Sequence, residues 1–174
     1  MCIVLDYGHG GRDVGAIFER RKESEDTYRF GKMLAQKVKN LQVPVYETRT
    51  GNAFVSLRQR VAFSDSKKPL YFISIHRNAS STHKACGAET FIYPNSRAVD
   101  LAETLQRELV ASGFRHRGVK CASYYVLKHT KAPAILLEVG FIDCAEDNRL
   151  FDRQMDSVTT QLAIQIAYAC TKKI

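Results

Sequence analysis

The 174-residue sequence contains no run of the roughly 18 consecutive apolar residues that a membrane helix requires, so no membrane insertion is expected. It has no internal repeat, no low-complexity tract and no linker-like stretch, which leaves one domain over residues 1–174 as the expectation. The opening "MCIVLDYG" has no basic region ahead of its apolar segment and no small-residue cleavage site. No signal peptide is therefore expected. The chain would be made in the cytoplasm and reach an outside target by release or export. Cysteine pairs at metal-binding spacing are also missing. The five cysteines, Cys2, Cys86, Cys121, Cys144 and Cys170, are odd in number and form no C-x-x-C motif. That argues against a disulfide framework and a thiolate zinc site, and predicts reduced, partly buried thiols.

What is present fits a soluble globular protein. Apolar residues make up 45% and charged residues 25%, and a chain of this length can build a core without staples. The net charge of +8 points to acidic partners such as nucleic acid, anionic lipid or the anionic polymers of a bacterial wall. The basic residues are scattered, however, which is equally the pattern of a solvated basic surface.

Six segments read as strands: "CIVLDY", "PVYETR", "LYFISIH", "AETFIYP", "SYYVLK" and "AILLEVG". Several are nearly continuous apolar runs, as in central strands covered on both faces. Helical stripes lie between and after them. Phe30, Met33, Leu34 and Val38 mark one over 28–39. Leu57 and Val61 mark a second over 56–65, with Ser56 as a plausible cap. Leu101, Ala102, Leu105 and Leu109 mark a third over 98–111, and Val158, Leu162, Ile166 and Ala169 a fourth over 155–170. Alternating strands and helices predict an α/β domain with a largely parallel sheet, whose site forms beyond the carboxyl ends of the strands.

Three strands end in a group that binds metal or moves protons: "DYGH" at His9, "FISIH" at His76 and "ILLE" at Glu138. A carboxylate closing an apolar strand is costly to bury alone, so Glu138 must meet a cation, a donor or water in a cleft. The glycine-rich "GHGGRDVG" is not a phosphate cradle. No lysine follows the glycines, and Asp13 stands where a dinucleotide-binding loop needs glycine.

The segments "IVLDYGHGGRDVGA", "ETRTGNAFVSLRQRVAFSD", "FISIHRNAS", "GAETFIYP", "RGVK" and "YYVLKHTKAPAILLEVGFIDCAEDNRLF" occur in an order that resembles the zinc-dependent N-acetylmuramoyl-L-alanine amidases of the Amidase_3 type, from Ile3 to about Phe151. The resemblance implies a twisted, mostly parallel six-stranded sheet with helices on both faces. It implies one Zn2+ ion held by two histidines and a glutamate, with a second glutamate in catalysis. His9 and His76 match the histidines and Glu138 the catalytic glutamate. The ligand glutamate opens the first helix, where Glu19, Glu23 and Glu25 compete. In such enzymes apolar residues follow it three and five positions on. Tyr28 and Phe30 satisfy this from Glu25, whereas Asp26 and Tyr28 do so poorly from Glu23, so Glu25 is the expected ligand. Tyr7 and Val14 stand where the family often has proline. Arg77 replaces a small residue of bacterial autolysins and would suit a wall variant or a phage-type enzyme. Asn78 reads either as substrate-orienting or as a loop cap, and His83, His116 and His129 as surface or structural.

The implied activity is cleavage of the amide between N-acetylmuramic acid and L-alanine in peptidoglycan, with no nucleic acid as partner. The oligomeric state stays open. Without a signal peptide, a phage or prophage endolysin fits better than a secreted autolysin, and the ending "CTKKI" would suit a cut before a linker. Two rivals stand beside this reading: a zinc exopeptidase acting on wall peptides, and a non-catalytic basic domain that binds wall or nucleic acid.

Overall fold

A computed structural model describes residues 1–172; the last two residues of the terminal "TKKI" lie outside them. The elements in chain order are β1 (Ile3–Tyr7), β2 (Ile17–Phe18), β3 (Arg21–Lys22), α1 (Glu23–Asn40), β4 (Val45–Glu47), α2 (Leu57–Lys67), β5 (Tyr71–Asn78), β6 (Ala88–Ile92), α3 (Val99–Ala111), β7 (His116–Cys121), α4 (Tyr125–His129), β8 (Ala134–Phe141) and α5 (Ala145–Thr171). Six strands form one sheet in the order β4-β1-β5-β8-β6-β7, and β2 pairs with β3 in a small hairpin. Strands β4, β1, β5 and β8 run parallel. Strand β6 is antiparallel to β8, and β7 runs parallel to β6. The sheet is mostly parallel with helices on both faces, as expected.

Every residue of β1 is buried, because alternate side chains enter two different cores. Ile3, Leu5 and Tyr7 join Ile73, Leu137, Phe30, Leu105 and Leu162 in a large core with α1, α3 and α5. Val4 joins Phe72, Leu136, Val126 and Leu127 in a smaller core with α2 and α4. His76 and Glu138 share the parity of Phe72 and Leu136, so they belong to the α2/α4 face. The two are register partners across β5 and β8.

Three expectations change. The segment "SYYVLK" is not a strand: Tyr125–His129 form α4, with Val126 and Leu127 in the smaller core. A short apolar run has no periodicity of its own to separate strand from buried helix. The sixth strand is β7, whose sequence "HRGVKC" lies at the sheet edge and is half exposed, so it has no apolar signature to read. The cysteines are not all reduced. Cys86 and Cys144 form a disulfide, with Cα atoms 5.6 Å apart across 58 residues of chain, and Cys2, Cys121 and Cys170 are free. Only the return of β8 beside β6 brings that pair together.

Candidate metal centre and active site

The centre sits where β1, β5 and β8 end. Beyond β1 the chain turns sharply, and His9 itself adopts φ of 62°, a strained conformation for a side-chain-bearing residue. Glycine is required on both sides of it. A Cβ on Gly8 would lie 2.4 Å from the His76 ring, and one on Gly15, at φ of 68°, would lie 2.6 Å from Glu23 and from the His9 ring. Two buried arginines pin this loop through its carbonyls. Arg49 donates to Tyr7 and Ser24, and Arg60 donates to Tyr7 and His9. Arg60 is itself paired at 2.6 Å with buried Asp6, which also accepts from Thr48 and Ser74.

His9, Glu23 and His76 converge, their nearest ligand atoms all within 4.8 Å of one another. His9 Nε2 lies 3.1 Å from one Glu23 oxygen and His76 Nδ1 2.9 Å from the other. The backbone amides of Ala16 and Arg77 donate to the same carboxylate and hold it between the rings. The other nitrogen of His9 faces Asp13 at 2.8 Å, and Asp13 also accepts from the Gly15 amide. An Nδ1–H given to Asp13 leaves Nε2 with its lone pair aimed at the centre, the way carboxylates orient metal-binding imidazoles. Two imidazoles and one carboxylate fit zinc, and three protein donors leave a coordination position open.

Glu25 is not part of this cluster. Its side chain is 65% exposed and pairs with Lys22 at 3.1 Å. Glu23, the first residue of α1, takes the place expected of it. The apolar spacing misled because Asp26 fills an inward position as an ion: it is buried against Arg77 and Arg21. Arg77 likewise has no role in the cleft through its side chain. It is 1% exposed, lies over the Phe151 ring and donates to Asn148, which ties β5 to α1 and α5. His83 pairs with Asp143 at 2.8 Å on the surface. The sequence places Asp13 beside His9 without a role, and the contact with His9 Nδ1, at i+4 spacing, supplies one.

Glu138 lies beside the cluster with one carboxylate oxygen buried and without a hydrogen-bond partner among the described residues. Burial pushes its carboxyl up to about 7, the range of a group that both takes and returns a proton near neutrality. Burial also opposes a charge on His76, but the Glu23 carboxylate outweighs it and raises the imidazole to about 9. The same bonds hold Glu23 far below the usual carboxylate range in spite of its burial. A cleft of about 510 Å³ opens over these groups. Phe54, Leu57, Tyr124 and Tyr125 are among the residues that wall it. The misassigned segment "SYYVLK" thus supplies a cleft wall.

Comparison with known proteins points the same way. The family model described as N-acetylmuramoyl-L-alanine amidase, Amidase_3, matches residues 3–172. N-acetylmuramoyl-L-alanine amidase LytC of Bacillus subtilis is 36% identical over 149 residues, which are 83% of this chain and 30% of LytC. The probable cell wall amidase LytH of Staphylococcus aureus is 34% identical over 167 residues, 93% of this chain and 55% of LytH. The chain therefore spans from under a third to about half the length of these curated relatives. The crystal structure of an N-acetylmuramoyl-L-alanine amidase from Clostridium difficile 630 superposes with a TM-score of 0.87 at 28% identity, covering 98% of this chain and 95% of that one. A family match over nearly the whole chain, a shared fold and a two-histidine, one-glutamate cluster beside a buried glutamate agree, and the chain belongs to the Amidase_3 family of N-acetylmuramoyl-L-alanine amidases.

Proposed function

We propose that this chain is a single catalytic domain that hydrolyses the amide between N-acetylmuramic acid and L-alanine in peptidoglycan. The observation that carries the reading is the convergence of His9, Glu23 and His76 beside the unpartnered carboxylate of Glu138. His9, Glu23 and His76 would hold one zinc ion. When bound, zinc supplies Lewis acidity toward an amide carbonyl and a water molecule. Glu138 takes a proton from the attacking water at its free oxygen and returns it to the departing alanine nitrogen. Asp13 keeps His9 in the tautomer that faces the centre, and the apolar cleft walls exclude bulk water from the scissile bond.

The Cys86–Cys144 disulfide supports action outside the reducing cytoplasm, at the cell wall. No helix among the described residues is long and apolar enough to cross a membrane. The test is digestion of purified peptidoglycan. An amidase releases new N-terminal alanine, whereas an exopeptidase releases terminal residues of the stem peptide. Glu138→Gln should lower turnover by roughly 100-fold or more while zinc content stays near that of the parent. A Glu138→Gln protein as active as the parent would sink the mechanism.

A further inference from the structure

One buried carboxylate beside the site is left unused by that mechanism. Glu89, on β6, is the register partner of Glu138 across the antiparallel β6–β8 pair and is 4% exposed. Directly opposed residues in such a pair have Cβ atoms about 5 Å apart. Three donors from two other elements meet Glu89. Asn78, which lines the cleft, donates its amide to one oxygen, while Arg117 and Lys120 of β7 meet the other. Two cations on one carboxylate leave a unit of positive charge uncompensated. Both keep an open side: the Arg117 side chain is 31% exposed and the Lys120 side chain 43%. Arg117 uses only Nε on Glu89 at 3.2 Å, and its two terminal nitrogens carry no hydrogen bond among the described residues. Those two nitrogens form the fork that grips a carboxylate in two parallel bonds. Lys120 is also seated toward the cleft, while Arg117 lies over the Phe141 ring. Lys120 lies over the Phe91 ring, and Phe91 packs edge-on against the cleft-wall Tyr124.

We infer that Arg117 and Lys120, anchored by Glu89, form a carboxylate-binding subsite that receives the stem peptide one residue beyond the scissile amide. The inference rests on the amidase reading above. The spacing suits it: β7 lies two strand spacings, roughly 10 Å, from β8, its two cations reach back to Glu89 on the strand between, and the next residue of the peptide lies about two Cα spacings, roughly 7–8 Å, from the bond cut at Glu138. The charge suits it too, because the sugars of the substrate are neutral while the stem peptide bears free carboxylates. Glu89 is a positioning residue in this arrangement, since it acts through the two cations.

The test uses two soluble substrates that differ in one group: N-acetylmuramoyl-L-alanyl-D-glutamate, and the same compound with the glutamate α-carboxylate amidated. The parent should prefer the free carboxylate by about tenfold in kcat/KM, with the difference in KM, as expected for one charge-assisted contact. Lys120→Met should bring the ratio of the two substrates close to one, Arg117→Met should lower it, and Lys120→Arg should keep it. A parent ratio of one, or an unchanged ratio in both methionine variants, would overturn the subsite with the amidase reading intact. Failure of the zinc-loaded parent to cut either compound or whole peptidoglycan would overturn both.

Discussion

At the scale of single residues, the assignment of the centre turns on two glutamates of α1 that are two positions apart. Glu23 sits between His9 and His76, and Glu25 points to solvent. Glu23→Ala should lose zinc, measured as metal per chain after dialysis, and Glu25→Ala should keep it. The metal-free protein should also carry a pH signature of this cluster. The folded-state imidazole of His76 is raised to about 9 from an ordinary 6.5. Its contribution to stability is fully present below about pH 6.5 and is lost as pH rises through 9. Thermal unfolding after chelation should therefore show stability falling as pH rises between those limits. Zinc needs the same imidazoles neutral, so the loaded protein should not show this decline. His9, His76 and Glu138 were legible because an apolar strand that stops at a polar, chemically capable residue is visible in one dimension. Glu23 was not, because its inward neighbour Asp26 is buried as an ion pair with Arg77, 51 residues away. No binary pattern encodes such a substitution of charge for hydrocarbon.

At the scale of elements, helix α2 follows its sequence closely. Ser56 caps it and forms a full capping box with Gln59. Ser56→Ala should cost about 1 kcal/mol in denaturant unfolding. Because Phe54 and Leu57 flank that cap and wall the cleft, the same variant is also expected to raise KM. The disulfide acts on a longer segment. It ties the end of the loop between β5 and β6 to the first turn of α5 and closes a loop of 58 residues. Cys86→Ser should cost roughly 2–4 kcal/mol through the larger freedom of the unfolded chain. Added reductant should lower the parent to the level of the variant and leave the variant unchanged. The two misread elements, α4 and β7, share a cause. Each is six residues or shorter, too short for a period, and each takes its conformation from what it packs on. Helix α4 lies on the smaller core, and β7 completes the hydrogen bonds of β6.

At the scale of the whole molecule, the parallel run β4-β1-β5-β8 delivers the ends of three strands to one edge of the sheet, and the reversed β6 brings Glu89 back to that same edge. The centre is thus assembled from segments up to 129 residues apart, between His9 and Glu138, and a ligand that joins them should stabilise the fold as a unit. Chelation should lower the melting temperature and abolish wall hydrolysis, and zinc should restore both. At a thousandfold excess of zinc over its Kd the gain is about 4 kcal/mol. The sequence by itself determined the α/β class, the two central histidines, the strand-end glutamate and the family, because these reside in local patterns: apolar runs, helical stripes and short ordered motifs. Only the tertiary structure decided that Glu23 rather than Glu25 faces the histidines, that Cys86 meets Cys144, and that Arg117 and Lys120 share a carboxylate beside Glu138. Each of those depends on which strand lies next to which, and a chain 174 residues long states that nowhere in its local order.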